Sequence, residues 1–106
     1  MSGDTPNLFH AVFSEILRKR FEIMSRWAIR LGQVGDFLKN INSILDGLQR
    51  DPVEFGDVRR RLPMMDAIEY DALRGSIQGS YTVHNSKRVV FVKSIAYFPK
   101  YGKRQD

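Results

Sequence analysis

The stretch from Val34 to Leu48 constrains this chain more than any other. Its apolar residues Val34, Phe37, Leu38, Ile41, Ile44, Leu45 and Leu48 recur at i, i+3, i+4 and i+7, the period that gathers side chains onto one face of an α-helix. Asp51-Pro52 stops the pattern, because proline has no amide hydrogen to donate and disfavours helical backbone just before it. A second stripe precedes the first. Leu17, Phe21, Met24, Ala28 and Leu31 fall at helical spacing, Ile16, Ile23 and Trp27 widen the face, and Arg18, Lys19, Glu22, Arg26 and Arg30 occupy most of the remainder. Ser14 is suited to cap the start of this helix and Gly32 to end it. Only a few residues around Gly32 to Gly35 separate the two stripes, so an antiparallel helical hairpin is expected. A chain of 106 residues has room for one core and not two, so the rest of the sequence must cover the apolar side of that hairpin.

On either side the period changes. Leu8 to Phe13 (LFHAVF) reads as a short strand. Ala67 to Leu73 (AIEYDAL), Ile77 to His84 (IQGSYTVH) and Arg88 to Phe98 (RVVFVKSIAYF) are three apolar runs separated by the turn-forming triplets Arg74-Gly75-Ser76 and Asn85-Ser86-Lys87, the pattern of an antiparallel meander. The unbroken Val89-Val90-Phe91-Val92 suits an interior strand. Residues 52–65, with two prolines, a glycine and Arg59-Arg60-Arg61, read as an irregular connection. The expected fold is α+β: a two-layer β-α-α-β-β-β domain with the helical hairpin on one face of a mainly antiparallel four-stranded sheet. Residues 1–6 read as a flexible arm, 7–98 as the domain and 99–106 as a basic tail.

Charge sorts itself along this order. The net charge is +5, yet Met1 to Asp71 holds 10 basic and 11 acidic residues. Arg74, Lys87, Arg88, Lys93, Lys100, Lys103 and Arg104 follow with no acid among them until Asp106. An acid-free basic segment laid over a meander suits contact with phosphates or an acidic partner; the plainer alternative is a solvated basic end. There is no cysteine, which excludes disulfides, thiolate metal sites and cysteine nucleophiles and fits a reducing, cytoplasmic setting. No apolar run approaches the roughly 20 residues that span a bilayer, and the N-terminal residues lack the basic start and apolar centre of a signal peptide, so no membrane partner is expected.

Alternation along Ile77 to His84 sends Ile77, Gly79, Tyr81 and Val83 to one side and Gln78, Ser80, Thr82 and His84 to the other. The second set is polar throughout and makes an open sheet face a candidate binding surface. By the same alternation Lys93 and Tyr97 share a face, proposed to be that open one. Glu69 and Asp71 also point outward on this reading and would repel phosphate. His10 and His84 are the only histidines and stand at no metal-binding spacing, so no metal or cofactor is expected. GxSxG, P-loop and GxGxxG motifs are absent as well. Cofactor-free cleavage of RNA by its own 2′-hydroxyl remains, since it needs only a proton acceptor, cations around the phosphorane and a proton donor. Arg74, Lys93, Tyr97, Lys100 and Tyr101 could supply such groups.

With LFHAVFS at the first strand, LQRDPVEFG closing the hairpin, and SYTV and RVVFVKSIAYF in the meander, the chain resembles the RelE/ParE superfamily of bacterial toxins from toxin-antitoxin modules. The resemblance implies a small basic toxin that either cuts ribosome-bound mRNA or inhibits DNA gyrase, with a cognate antitoxin covering its basic face. On the ribonuclease branch Lys93, Tyr97 and Tyr101 are the catalytic candidates, Tyr101 lying near the place where the resemblance implies a catalytic tyrosine, and the basic segment offers Arg74, Lys87, Arg88, Lys93, Lys100, Lys103 and Arg104 as nucleic-acid contacts. Gln78 stands where that branch places an arginine, and Phe98 where it places a basic residue. The alternative is a non-catalytic member of the same fold, either a gyrase inhibitor or a protein-binding domain. A third expectation comes from the first helix: Ile16, Ile23 and Trp27 form an apolar face that could hold a second copy, giving a homodimer, or another protein.

Overall fold

The computed structural model describes residues 8–99, and its architecture is α+β with a mixed sheet. Strand β1 (His10–Val12) leads into α1 (Glu15–Arg30), α2 (Val34–Arg50) and a single helical turn, α3 (Pro52–Phe55). Strand β2 (Asp57–Leu62) and one 3₁₀ turn (Pro63–Met65) precede the meander of β3 (Ala67–Arg74), β4 (Ile77–His84) and β5 (Val89–Tyr97). The five strands lie in the order β1-β5-β4-β3-β2, with β1 parallel to β5 and the remaining pairs antiparallel.

The hairpin forms where the apolar stripes place it. Ser14 Oγ accepts the Leu17 amide at 3.1 Å, and Glu15 and Arg30 complement the helix dipole at opposite ends. At the other terminus Gly32 takes φ 71°. Its amide reaches Ile29 O while the Gln33 amide reaches Ala28 O, a paired closure that needs the left-handed backbone glycine tolerates best. Asp51 both ends α2 and caps α3, its carboxylate accepting the Glu54 amide at 3.4 Å, with Pro52 at the first helical position where a missing amide does no harm.

The buried faces of α1 (Leu17, Met24, Ala28) and α2 (Phe37, Ile41, Ile44, Leu48) meet Tyr70, Ala72, Ile77, Tyr81, Val83, Val90, Val92, Ile95 and Tyr97 of the sheet in one core. Within it Tyr70 and Tyr81 stack with centroids 5.4 Å apart, and the Tyr81 hydroxyl donates to the Pro52 carbonyl at 2.7 Å. Burial pushes the Tyr81 phenol well above its ordinary range. Gly47 admits the Phe55 ring so closely that an added Cβ would lie 2.2 Å from it, which lets α3 fold back onto α2.

Two expectations need correction. The sheet has five strands and not four, while staying mainly antiparallel with one parallel pair: Asp57–Leu62, inside the stretch read as irregular, forms the edge strand beside β3. It has no apolar alternation because nearly all of it faces water. The second correction concerns β5. Ser80 pairs with Ser94 but Tyr81 pairs with Val92, so Lys93 is an extra residue, a β-bulge, and every side chain after it changes side. Lys93 and Tyr97 therefore lie on opposite faces.

Candidate nucleic-acid interface

The side of the sheet away from the helices carries Gln78, Ser80, Thr82 and His84, as alternation places them, while Ile77, Gly79, Tyr81 and Val83 are buried on the other side. Glu69 and Asp71 of β3 join the open face. Each is neutralised where it stands. The Glu69 side chain, only 7% exposed, is held by Lys93 Nζ from β5 and by Arg60 from β2, whose Nη2 lies 3.1 Å and Nε 3.2 Å from Oε1. These hydrogen bonds, first from Lys93 and then from Arg60, hold the Glu69 carboxyl below its usual range. Asp71 accepts a hydrogen bond from Ser80 Oγ at 2.6 Å and faces Arg59 Nη1 at 3.7 Å.

Around this buried carboxylate the lower half of the face forms a groove of about 630 Å³, lined by Arg60, Leu62, Met65, Glu69, Thr82, His84, Lys87, Val89, Phe91 and Lys93. Phe91 is 43% exposed and takes the His84 ring edge-on at 5.3 Å between centroids. The groove thus sets a ring pair beside three cations and a single acid that is already engaged. Cations at its rim suit phosphate, and an exposed ring face suits an unpaired base.

The sequence-derived candidates divide across this geometry. Lys87, Lys93, Thr82 and His84 come together in the groove, whereas Gln78 and Ser80 share the face but lie outside it. Arg74 stacks over the Phe55 ring at 4.1 Å and Arg88 over the Phe9 ring at 4.2 Å; neither lines the groove. Tyr97 sits on the helix side, edge-on to Trp27 and Phe37, with its hydroxyl 3.4 Å from Gln33 Oε1. Lys100, Tyr101, Lys103 and Arg104 fall outside the described residues. Comparison with protein-family models, curated proteins and solved structures returns no match. The site consequently rests on its own chemistry.

Arg60, Glu69 and Phe91 were not among the candidates. Arg60 belongs to the unrecognised edge strand, and Glu69 reads as a phosphate repellent until its two partners are seen. The signal present was the run Arg59-Arg60-Arg61 followed by two outward acids at i, i+2 in the next strand, the charge pairing expected across neighbouring strands. Among the described residues no three histidine, aspartate or glutamate side chains converge in a way that would hold a metal ion, and no helix is long and apolar enough to cross a membrane.

Proposed function

We propose that this chain is a RelE/ParE-like protein that binds single-stranded RNA, free or ribosomal, across the open face of its sheet, and does so without a cofactor. The observation that carries the reading is the groove in which Arg60, Lys87 and Lys93 ring the exposed Phe91 and the half-buried His84 against it. Backbone phosphates engage the cations and an unstacked base lies on Phe91. Glu69 fixes two of the cations in place, so they meet the ligand with little side-chain entropy left to lose.

Binding without cleavage is the better supported form of this reading. The Tyr97 hydroxyl, a candidate proton donor, lies on the far side of the sheet against Gln33, and Gln78 offers no charge to a developing phosphorane. Anisotropy of a short labelled single-stranded RNA tests the proposal. Phe91→Ala should weaken binding by about 1–3 kcal/mol, and Lys93→Ala with Lys87→Ala should lower the slope of log K against log salt by about 1.4. Unchanged affinity and slope in both variants would sink the reading. Incubation of the same RNA with the protein, followed by length analysis, separates the forms: intact RNA fits binding alone, and cuts lost in Lys93→Ala return the ribonuclease.

A further inference from the structure

On the helix side of the sheet the interior is not filled. Leu17 and Phe21 of α1, Ile41, Ile44 and Leu45 of α2 and Ile95 of β5 line a cavity of about 170 Å³, with Phe13, between β1 and the cap of α1, as a further wall. It lies toward the end of the hairpin away from its loop. Nearer the loop, rings close the space: Phe21 meets Phe37 at 6.0 Å and Trp27 meets Tyr97 at 5.4 Å between centroids. Toward the other end α1 sends only Leu17 into the core, and the α2 residues that line the cavity are aliphatic.

Water gains little in such a place, because it finds few polar partners. Apolar cavities of about 150 Å³ walled by Leu, Ile and Phe stay dry and take up a benzene ring. Wall atoms that face a void forfeit their contacts, so a ring that fills it is held by dispersion and by the removal of its own surface from water. Phe13 and Phe21, both half-buried, offer that ring aromatic neighbours.

One lining residue is charged. Arg18 is exposed, so its guanidinium marks where the cavity meets solvent. Among the described residues it forms no ion pair: Glu15, three residues before it, makes no bridge to it, Glu22 faces Arg26 at 3.8 Å, and Asp46, beside Leu45, holds Arg50 at 2.7 Å.

We propose that this cavity is a binding site for a small aromatic carboxylate, its ring held between Phe13, Phe21, Leu45 and Ile95 and its acid, carried on a short arm, paired with Arg18. A cavity matched to one ring leaves no room for a long acyl chain, and a cationic ligand would meet Arg18 as a like charge. The site lies on the opposite face of the sheet from the groove, and its test does not depend on RNA.

The probe is phenylpropanoate, titrated into the isotope-labelled full chain and followed by backbone and methyl NMR shifts, with phenylpropanol, phenylpropylamine and propanoate as controls. The acid should bind saturably and shift the signals of Leu17, Phe21, Leu45 and Ile95. The alcohol should bind about threefold to fivefold more weakly, the scale of one exposed ion pair, the amine more weakly still, and propanoate not at all. Arg18→Gln, at an exposed position that leaves the fold intact, should close the margin between acid and alcohol without changing the alcohol's affinity, and added salt should narrow it in the natural chain. Leu45→Trp fills the cavity and should abolish binding of acid and alcohol alike, with circular dichroism showing that the variant is folded. Absence of saturable binding, equal affinity for acid and alcohol, or a margin retained in Arg18→Gln would overturn the proposal. So would binding kept by the folded Leu45→Trp chain, or shifts confined to Phe91 and Lys93, which would put the ring in the groove instead.

Discussion

At the scale of single residues, Glu69 ties the sheet together and sets up the groove at once. It stands on β3, yet its carboxylate holds a cation from β5 and another from β2. Because its pKa is depressed by these partners, its contribution to stability is present above the ordinary carboxylate range and is lost as pH falls through the lowered value. The urea midpoint should therefore drop between neutral and acid pH in the natural chain, and Glu69→Gln should flatten that part of the profile. A second residue-scale prediction concerns Tyr81. Its hydroxyl satisfies the Pro52 carbonyl in the interior, so Tyr81→Phe leaves a buried acceptor without its donor and should lower unfolding free energy by about 1–3 kcal/mol in urea titrations.

At the scale of elements, α2 and α3 are coupled through a missing side chain. Gly47→Ala forces its Cβ onto the Phe55 ring, and overpacking of this kind costs roughly 1–3 kcal/mol. Removing the ring with Phe55→Ala should relieve that penalty, so a double-mutant cycle measured by thermal unfolding should give a total smaller than the separate effects combined. The helices were legible in the sequence for a physical reason: Phe37, Ile41, Ile44 and Leu48 all face one core, so burial writes a 3.6-residue period. β4 was legible for the same reason at period two. β2 was not. Arg59, Arg60 and Arg61 are exposed, which removes the alternation that marks a strand, and the segment is a strand through its ladder to β3, with Arg59 and Arg60 meeting Asp71 and Glu69 across it. The bulge escaped because counting from Lys93 to Tyr97 assumes an uninterrupted pleat, and only the register against Ser80 and Tyr81 reveals the extra residue. The first of these features brings Arg60 and Leu62 to the groove, and the second takes Tyr97 away from its face.

For the molecule as a whole, solution behaviour should follow from the charge carried by the edge strand β2. The arginines of β2 keep that edge from pairing with copies of itself, so replacing Arg59, Arg60 and Arg61 together with threonine should produce concentration-dependent association detectable by light scattering, while the natural chain remains free of it at that edge. The same arginines set a limit on the charge argument made from sequence. The basic excess was assigned to the last third of the chain, yet the groove draws Arg60 from a stretch whose charges nearly cancel, and Arg74 and Arg88 from the basic third are turned onto Phe55 and Phe9. Local sign in the folded molecule depends on which acids are already engaged.

The extra residue at Lys93 separates the fate of the groove from that of the interior. Removing it would leave Val92 opposite Tyr81 and Ser94 opposite Ser80, an unbroken pleat in which Ile95 and Tyr97 still face the helices and Trp27 and Phe37 keep the ring they pack against. Only the outer face would change, because Glu69 would be left with Arg60 alone. The chemistry of that face can therefore be varied at one position while the aromatic cluster beneath it stays as it is.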